Sequence, residues 1–364
     1  MSDEIKATEE SGSSLKKIDI FNIQPSVISR DLSGKSFVFY GSNRTGKTIV
    51  ATGFPSPIIL GFEKGWNMIS GVIGQPITKW KDALDVKKQL LADAEAVKKD
   101  KKKDTAFKTI VIDTGGIAYT MCEKYILQRE NVDYLDETES KRGYKATRNE
   151  FFDFLNDIIK AGYTLVVICH AVTVEKKING KKIEVTQADI DKRGMAILGE
   201  LVDVIGFATT DSDYHVTNGE DYDTDASHSV YIQRGTDDNL LVGSRNPYSG
   251  EIIPCSYQSI LDDINKAIDK QEENGANTTD KPTNVYQDVS ENMTHEELMS
   301  SLKEYANIYS EADRAEDYMR VSNKYLGKGK RVSEAESSQI DLLQLIYDEL
   351  TEQLKDFKKE EINK

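Results

Sequence analysis

A glycine-rich segment constrains the fold of this chain more than any other feature. The apolar run Ser36–Tyr40 leads directly into Gly41-Ser42-Asn43-Arg44-Thr45-Gly46-Lys47-Thr48, which matches the phosphate-binding pattern G-x-x-x-x-G-K-[S/T]. Such a loop joins a buried strand to the start of a helix, because the N–H groups of the loop and of the helix N-terminus then point at one anion. The sequence therefore predicts an α/β fold with a nucleotide-binding turn.

Each fixed position of this P-loop has a physical role. Gly41 and Gly46 allow the backbone to turn tightly around phosphate oxygens. Lys47 places an ammonium group against the outer phosphates, and Thr48 offers a hydroxyl to a magnesium ion. We therefore expect residues 41–48 to bind the phosphates of a nucleotide together with Mg²⁺.

Length and composition narrow the class of protein. The 364 residues suffice for one large domain and a smaller one, and 38% hydrophobic with 30% charged residues fits a globular chain with polar extensions. The three cysteines lack the C-x-x-C spacing of a metal or redox site, and no apolar run has the length of a membrane span. We expect a cytoplasmic protein that is not associated with a membrane.

A net charge of −15 opposes nucleic-acid binding by the whole surface but leaves room for local basic strips.

Three further segments are predicted to be strands that end in polar residues. Ser56–Gly65 contains Glu63 near its end, Thr109–Thr114 contains Asp113, and Thr164–His170 ends in a histidine. The carboxyl ends of parallel strands meet at one edge of a sheet, so these side chains are expected beside the P-loop. Asp113 would then hold Mg²⁺ together with Thr48, and Glu63 would accept a proton from water. The alternatives are an exposed charge for Glu63 and a satisfied core residue for His170.

The chain is predicted to divide into four regions. Residues 1–17 form a disordered tail, residues 18–268 the α/β core, residues 269–293 a linker, and residues 294–364 a small α-helical region. Within the core, helices are expected at 79–103, 117–129, 150–161 and 257–268, and a polar loop at 136–145. Asn179-Gly180 between two similar runs predicts a β-hairpin.

The order of these strands resembles the RecA-like ATPase core. More closely, residues 34–262 resemble the phage-encoded AAA-type nucleotide-binding proteins that are counted among RecA-core single-strand annealing proteins. The resemblance implies a mostly parallel sheet, Glu63 as the catalytic base, Lys47 as a catalytic cation, and His170 as a sensor of the γ-phosphate. RecA itself has glutamine at the sensor position. The resemblance also implies a homo-oligomeric ring or filament in which Arg245 acts on a neighbour's nucleotide, and a turn arginine without a partner is the competing interpretation.

The same resemblance implies contacts with single-stranded DNA. The hairpin after the sensor strand carries Lys176, Lys177, Lys181 and Lys182, and the earlier polar loop carries Lys141, Arg142, Tyr144 and Lys145. Ammonium groups would follow a phosphate backbone, and the tyrosine ring would stack on a base. Ordinary solvent-exposed segments of a lysine-rich protein are the alternative.

We therefore expect an ATP-hydrolysing protein that acts on single-stranded DNA in phage recombination or replication, in the cytoplasm of a bacterial host. Two alternatives belong to other classes: a nucleotide-gated binding module with incidental hydrolysis, and an AAA+ loader. A small-molecule kinase is a third, but no compact arginine-rich lid segment is present. The family offers no function for residues 270–364, whose helices we expect to contact a replication or recombination protein.

Overall fold

The computed structural model describes residues 27–99, 104–178, 181–210, 229–232, 240–245, 250, 252–281, 293 and 295–362. Its contacts divide the chain into two compact units, one formed by residues 23–287 and the other containing residues 288–364. Each unit is considered by itself. The predicted disordered tail, residues 1–17, lies outside the described residues.

The core of the first unit is a mostly parallel sheet. In chain order the strands are β1 (Ile28–Ser29), β2 (Ser36–Gly41), β3 (Pro57–Gly61), β4 (Gly74–Pro76), β5 (Thr109–Asp113), β6 (Thr164–Ile178), β7 (Lys181–Ala188), β8 (Val204–Thr210), β9 (Ser229–Ile232), β10 (Gly243–Ser244), β11 (Ile252–Pro254) and β12 (Thr278–Thr279). The main sheet has the order β11-β9-β8-β2-β6-β5-β3-β4, and its section from β8 to β4 is parallel. The P-loop strand β2 thus lies between β6 and β8, and the predicted α/β fold is confirmed.

Helices cover both faces of this sheet, and the apolar strands alternate between them. The helices of the unit are α1 (Lys47–Thr52), α2 (Trp80–Lys99), α3 (Gly115–Glu130), α4 (Arg142–Lys160), α5 (Lys192–Leu201) and α6 (Tyr257–Glu273). Val38 and Tyr40 point into the cluster formed with α2 to α5, whereas Phe37 and Phe39 point into the cluster formed with α1 and α6. All residues of β2 and β5 are buried, as expected for strands covered on both faces.

The predicted polar loop at 136–145 is wrong. Residues Leu135–Glu137 and Glu139–Lys141 form short 3₁₀ turns, and α4 begins at Arg142 instead of residue 150. Thr138 explains the early start, because its hydroxyl accepts a hydrogen bond from Gly143 N (2.7 Å) and donates one to Leu135 O (2.7 Å). A side chain outside the helix thus fixes its first turn.

The predicted boundary at residue 268 is also wrong. Helix α6 continues to Glu273, and β12 pairs with β1 in a separate two-stranded sheet. Arg30 forms ion pairs with Asp269 and Glu272, each at 2.6 Å. The polar residues that predicted a linker therefore form the exposed face of a helix and a strand paired through its backbone. Only residues from 282 onward remain as the predicted linker, and residues 282–292 lie outside the described part of the chain.

The second unit is helical, as predicted. Its helices are α7 (His295–Glu311), α8 (Ala315–Leu326) and α9 (Ile340–Ile362), which bury Leu298, Leu302, Val321, Leu343, Ile346 and Leu350 between them. Among the residues that the structure describes, no helix combines the length and the apolar character needed to cross a membrane.

Candidate nucleotide site

Glycine is required at both ends of the P-loop for different reasons. Gly41 ends β2, and a Cβ atom there would lie 1.9 Å from Ala208 O on the adjacent strand β8. Gly46 precedes α1 with φ of 84°, a left-handed conformation that side chains disfavour. The loop therefore turns sharply against β8 and enters α1 in the geometry expected of a phosphate-binding turn.

Lys47 lies under this loop. Its side chain is 6% exposed, and Nζ donates hydrogen bonds to Gly41 O (2.9 Å) and Ser42 O (2.5 Å). Burial lowers the pKa of Lys47, while the carboxylate of Asp113 opposes this shift. The loop residues Ser42, Asn43 and Arg44 are exposed, so the rim of the turn is accessible.

Thr48 and Asp113 form the candidate magnesium site. Thr48 Oγ1 donates a hydrogen bond to Asp113 Oδ2 at 3.2 Å, and Asp113 is 1% exposed. Burial, aided by repulsion from Glu63, raises the pKa of Asp113 to about 6. In the described part of the chain, no three His, Cys, Asp or Glu side chains gather around a common metal position. One hydroxyl and one carboxylate instead suit Mg²⁺, which keeps several waters and binds substrate phosphates.

Glu63 and His170 complete the polar edge of the sheet. The N–H groups of Phe62 and Glu63 both approach Asp113 O, at 2.7 and 3.2 Å, which fixes the backbone beside the end of β5. Glu63 Oε2 then lies 3.2 Å from His170 Nε2. The two side chains are 27% and 39% exposed, so both reach solvent at this edge. His170 Nδ1 is buried and has no hydrogen-bond partner among the described residues.

The strand ends thus bring Lys47, Thr48, Glu63, Asp113 and His170 to one edge, where Gly41 pairs with His170 and Gly61 with Asp113. Arg245 does not join them. It follows β10, which pairs with the opposite end of β8, and its Nη2 donates to Glu200 O (2.8 Å) and Gly199 O (3.3 Å) at the end of α5. Within one chain this arginine caps a helix. Its action on a neighbour's nucleotide stays a prediction.

The predicted lysine hairpin is an antiparallel ribbon formed by the second half of β6 and by β7. Strand β6 runs without a break from the sheet into this ribbon, and Ile178 pairs with Lys181 across the predicted turn. Asn179 and Gly180 themselves lie outside the described residues.

The ribbon is less basic than its lysines alone suggest. Lys177 pairs with Lys182, and Glu175 pairs with Glu184 two residues away on the same face. Lys182 Nζ forms an ion pair with Glu175 Oε1 at 2.8 Å. Lys176 shares the other, partly covered face with Ile183. The exposed face therefore alternates positive and negative charge.

The second predicted basic segment lies at the start of α4. Lys141 and Lys145 are exposed, and Arg142 forms an ion pair with Glu139. The guanidinium group of Arg193, on α5, stacks over the ring of Tyr144 at 4.1 Å. One face of that ring is thus already covered by a cation. Sequence reasoning missed Arg193 because it missed α5, although Asp191, which caps the helix at Arg193 N, was a readable start signal.

These features define the class: a P-loop nucleotide-binding protein with a mostly parallel α/β sheet. A family model described as AAA domain (AAA_24) matches residues 33–236, and the chain belongs to this family. The chain is 29% identical over 341 residues to the SPbeta prophage-derived uncharacterized protein YorG of Bacillus subtilis, covering 93% of this chain and 99% of that protein. A KaiC-like protein of Pyrococcus horikoshii overlaps 61% of this chain and 85% of its own, with 11% identity and a TM-score of 0.31.

Proposed function

We propose that this protein hydrolyses ATP and uses the nucleotide state to control its binding to single-stranded DNA in phage recombination or replication. One observation carries the proposal. A single strand, β6, contributes His170 to the polar edge of the sheet and then continues into the lysine-bearing ribbon. The similarity to a prophage-derived protein over nearly the whole chain supports the phage setting.

The residues of the site suit hydrolysis of the outer phosphate. Lys47, displaced from the loop carbonyls that it now contacts, would neutralise charge on the phosphates. Thr48 and Asp113 would hold Mg²⁺, which when bound neutralises charge on the phosphate oxygens. Glu63, held at the strand end and partly exposed, would orient a water molecule and accept its proton.

His170 links this chemistry to the ribbon. Its imidazole contacts the Glu63 carboxylate, so a phosphate that binds beside Glu63 would change the hydrogen bonds of His170. Because His170 and Lys176 lie on the same strand, a shift at His170 would be passed along the backbone to the ribbon. This is the physical basis we propose for coupling between ATP and DNA.

The charges favour the ribbon over the start of α4 as the main DNA contact. Arg142 is paired with Glu139, and Tyr144 is stacked with Arg193, so binding DNA there would require these contacts to break. On the ribbon, Lys177 is exposed. Of the three ribbon lysines whose side chains the structure describes, only Lys182 forms an ion pair with an acidic residue. Arg245, remote from the nucleotide edge of its own chain, would serve the site of a neighbouring copy in a ring or filament.

The test is ATP turnover by the full chain without DNA, with single-stranded DNA and with duplex DNA of the same sequence. We expect stimulation by the single strand alone. Turnover that no DNA changes would support a nucleotide-gated module for another partner, and absence of turnover in every condition would refute the ATPase.

A further inference from the structure

Trp66 occupies a slot made by two glycines. It lies in the 3₁₀ turn Gly65–Met68, which follows β3 and Glu63. A Cβ atom on Gly61 would lie 1.9 Å from Trp66 Nε1, and one on Gly74 would lie 2.4 Å from the indole ring. Gly61 and Gly74 belong to the neighbouring strands β3 and β4. The ring therefore fills space that side chains of these strands would otherwise occupy.

This slot lies on the same face of the sheet as the P-loop helix. Trp66 packs against the cluster that contains Val50 and Ala51 of α1, whereas Phe62 points into the cluster on the opposite face. The chain is thus anchored on one face at Phe62 and on the other at Trp66. The three residues between these anchors begin with Glu63.

The Glu63 carboxylate lies close to the start of the turn that Trp66 anchors. A Cβ atom on Gly65 would lie 3.7 Å from Glu63 Oε1, while Glu63 Oε2 contacts His170 at 3.2 Å. The carboxylate therefore lies between His170, which it contacts, and the open space beside Gly65 at the start of the Gly65–Met68 turn. If the turn moved off the sheet, the adjoining backbone at Glu63 would be free to move with it.

We propose that Trp66 is a positioning residue for ATP hydrolysis: its indole, seated between Gly61 and Gly74, holds the turn that keeps Glu63 at the γ-phosphate. The inference rests on the proposed role of Glu63. Trp66 would act on water activation, and in the described part of the chain it forms no hydrogen bond with residues 41–48. Its loss should therefore affect the chemical step more than nucleotide binding.

The test compares variants of the full chain in ATP turnover and in equilibrium binding of ATP. For Trp66→Ala we expect kcat to fall about tenfold or more, since a small misplacement of a reacting group has effects of that size. ATP affinity should stay within about threefold, so the loss appears in kcat and not in binding. Trp66→Phe should restore part of the activity, because a smaller ring still enters the slot.

Gly74→Ala tests the slot without removing the tryptophan. Its methyl group would displace the ring, so we expect a loss of kcat similar to that of Trp66→Ala. Added to Trp66→Ala, the same substitution should cause no further loss, because no ring remains to displace. Met68→Ala, in the same turn and at a side chain 87% exposed, is the matched control and should keep full activity.

Two outcomes separate the inference from the proposed function. If Glu63→Gln abolishes turnover but folded Trp66→Ala and Gly74→Ala variants keep normal kcat, Trp66 is only a packing residue. If Glu63→Gln itself retains turnover, the assignment of the base fails and the inference fails with it. Melting curves for each variant distinguish misplacement of Glu63 from loss of the fold.

Discussion

Glu63 Oε2 lies 3.2 Å from His170 Nε2, although their strands are separated in the sheet by β5. This contact spans the C-terminal tip of the intervening strand, where Asp113 is placed. Three side chains are therefore held together at one edge: the carboxylate of Glu63, our proposed proton acceptor, the carboxylate of Asp113, our proposed magnesium ligand, and the imidazole of His170. Our predictions follow from this arrangement.

The first prediction concerns Glu63. Glu63→Gln keeps the size of the side chain but removes the proton acceptor, so we expect ATP to bind normally and turnover to fall by about 10²–10⁴-fold. Radiolabelled ATP hydrolysis and equilibrium ATP binding measure the two effects. Glu311→Gln, at an exposed glutamate of the second unit, serves as control. Unchanged hydrolysis would show that another group activates the water.

The second prediction concerns His170. His170→Ala removes the contact with Glu63, so we expect ATP to lose its influence on DNA affinity and DNA to lose its influence on ATP affinity, as reciprocal linkage requires. Turnover should also fall, because Glu63 loses a neighbour. Fluorescence anisotropy of labelled single-stranded DNA, with and without a non-hydrolysable ATP analogue, measures the coupling. Coupling that survives in His170→Ala would exclude this route.

The third prediction concerns the ribbon. Replacing Lys176, Lys177, Lys181 and Lys182 by glutamate should abolish single-strand binding and leave ATP affinity intact. The salt dependence of binding is the slope of log Kd against log salt concentration. If all four lysines contact phosphates, replacing them by neutral residues should reduce this slope by roughly 3. Lys328→Glu, Lys330→Glu and Arg331→Glu together reverse three exposed cations of the second unit and form the control. If the variant with the four ribbon substitutions still bound single-stranded DNA, the DNA-binding surface would have to lie outside the ribbon.

The fourth prediction concerns pH and Asp113. Because burial raises the pKa of Asp113 to about 6, the folded protein holds this proton more tightly than the unfolded chain. The stability linked to this group is present below pH 4 and is lost as the pH rises through 6. Without Mg²⁺ and nucleotide, Asp113→Asn should therefore raise the free energy of unfolding at pH 7.5, by up to about 3 kcal/mol.

Urea unfolding of both proteins at pH 4.5 and pH 7.5 tests this difference. The gain should shrink at the lower pH, where wild-type Asp113 is largely protonated. Asp85→Asn, at an exposed aspartate, should give no comparable gain. A gain equal at both pH values would contradict the assignment to Asp113. The stabilised variant should also lose Mg²⁺-dependent hydrolysis, because the amide is a poorer magnesium ligand.

The nucleotide edge was accessible to sequence reasoning because its signals are local. Glycine is required at Gly41 by the close approach of Ala208 and at Gly46 by its left-handed backbone. Asp113 ends a short run of mainly β-branched residues, which favours a buried strand. Parallel topology then places such strand ends together. This rule predicts that Glu63 and His170 lie at the same edge of the sheet. It does not predict that their side chains are in hydrogen-bond contact.

The elements that sequence reasoning missed depend on distant contacts. Polar residues 136–145 resemble a loop until Thr138 is seen to fix the first turn of α4. The cation over Tyr144 comes from Arg193, about 50 residues later in the chain, and only the folded structure brings these two residues together. Likewise, the polar end of α6 resembles a linker until Arg30 is seen to pair with its carboxylates.

The unbroken course of β6 has a mechanical consequence. Strand β6 pairs with β5 up to Ile168 and with β2 up to His170, and from Ala171 onward it pairs with β7, so no loop interrupts it. If ATP binding moves the ribbon as we propose, the ribbon would tilt or twist as one stiff arm, and its far tip would move the most. A spectroscopic label near Ile178 would then move farther than one near Ala171, because Ile178 lies farther from His170, where pairing with β2 ends.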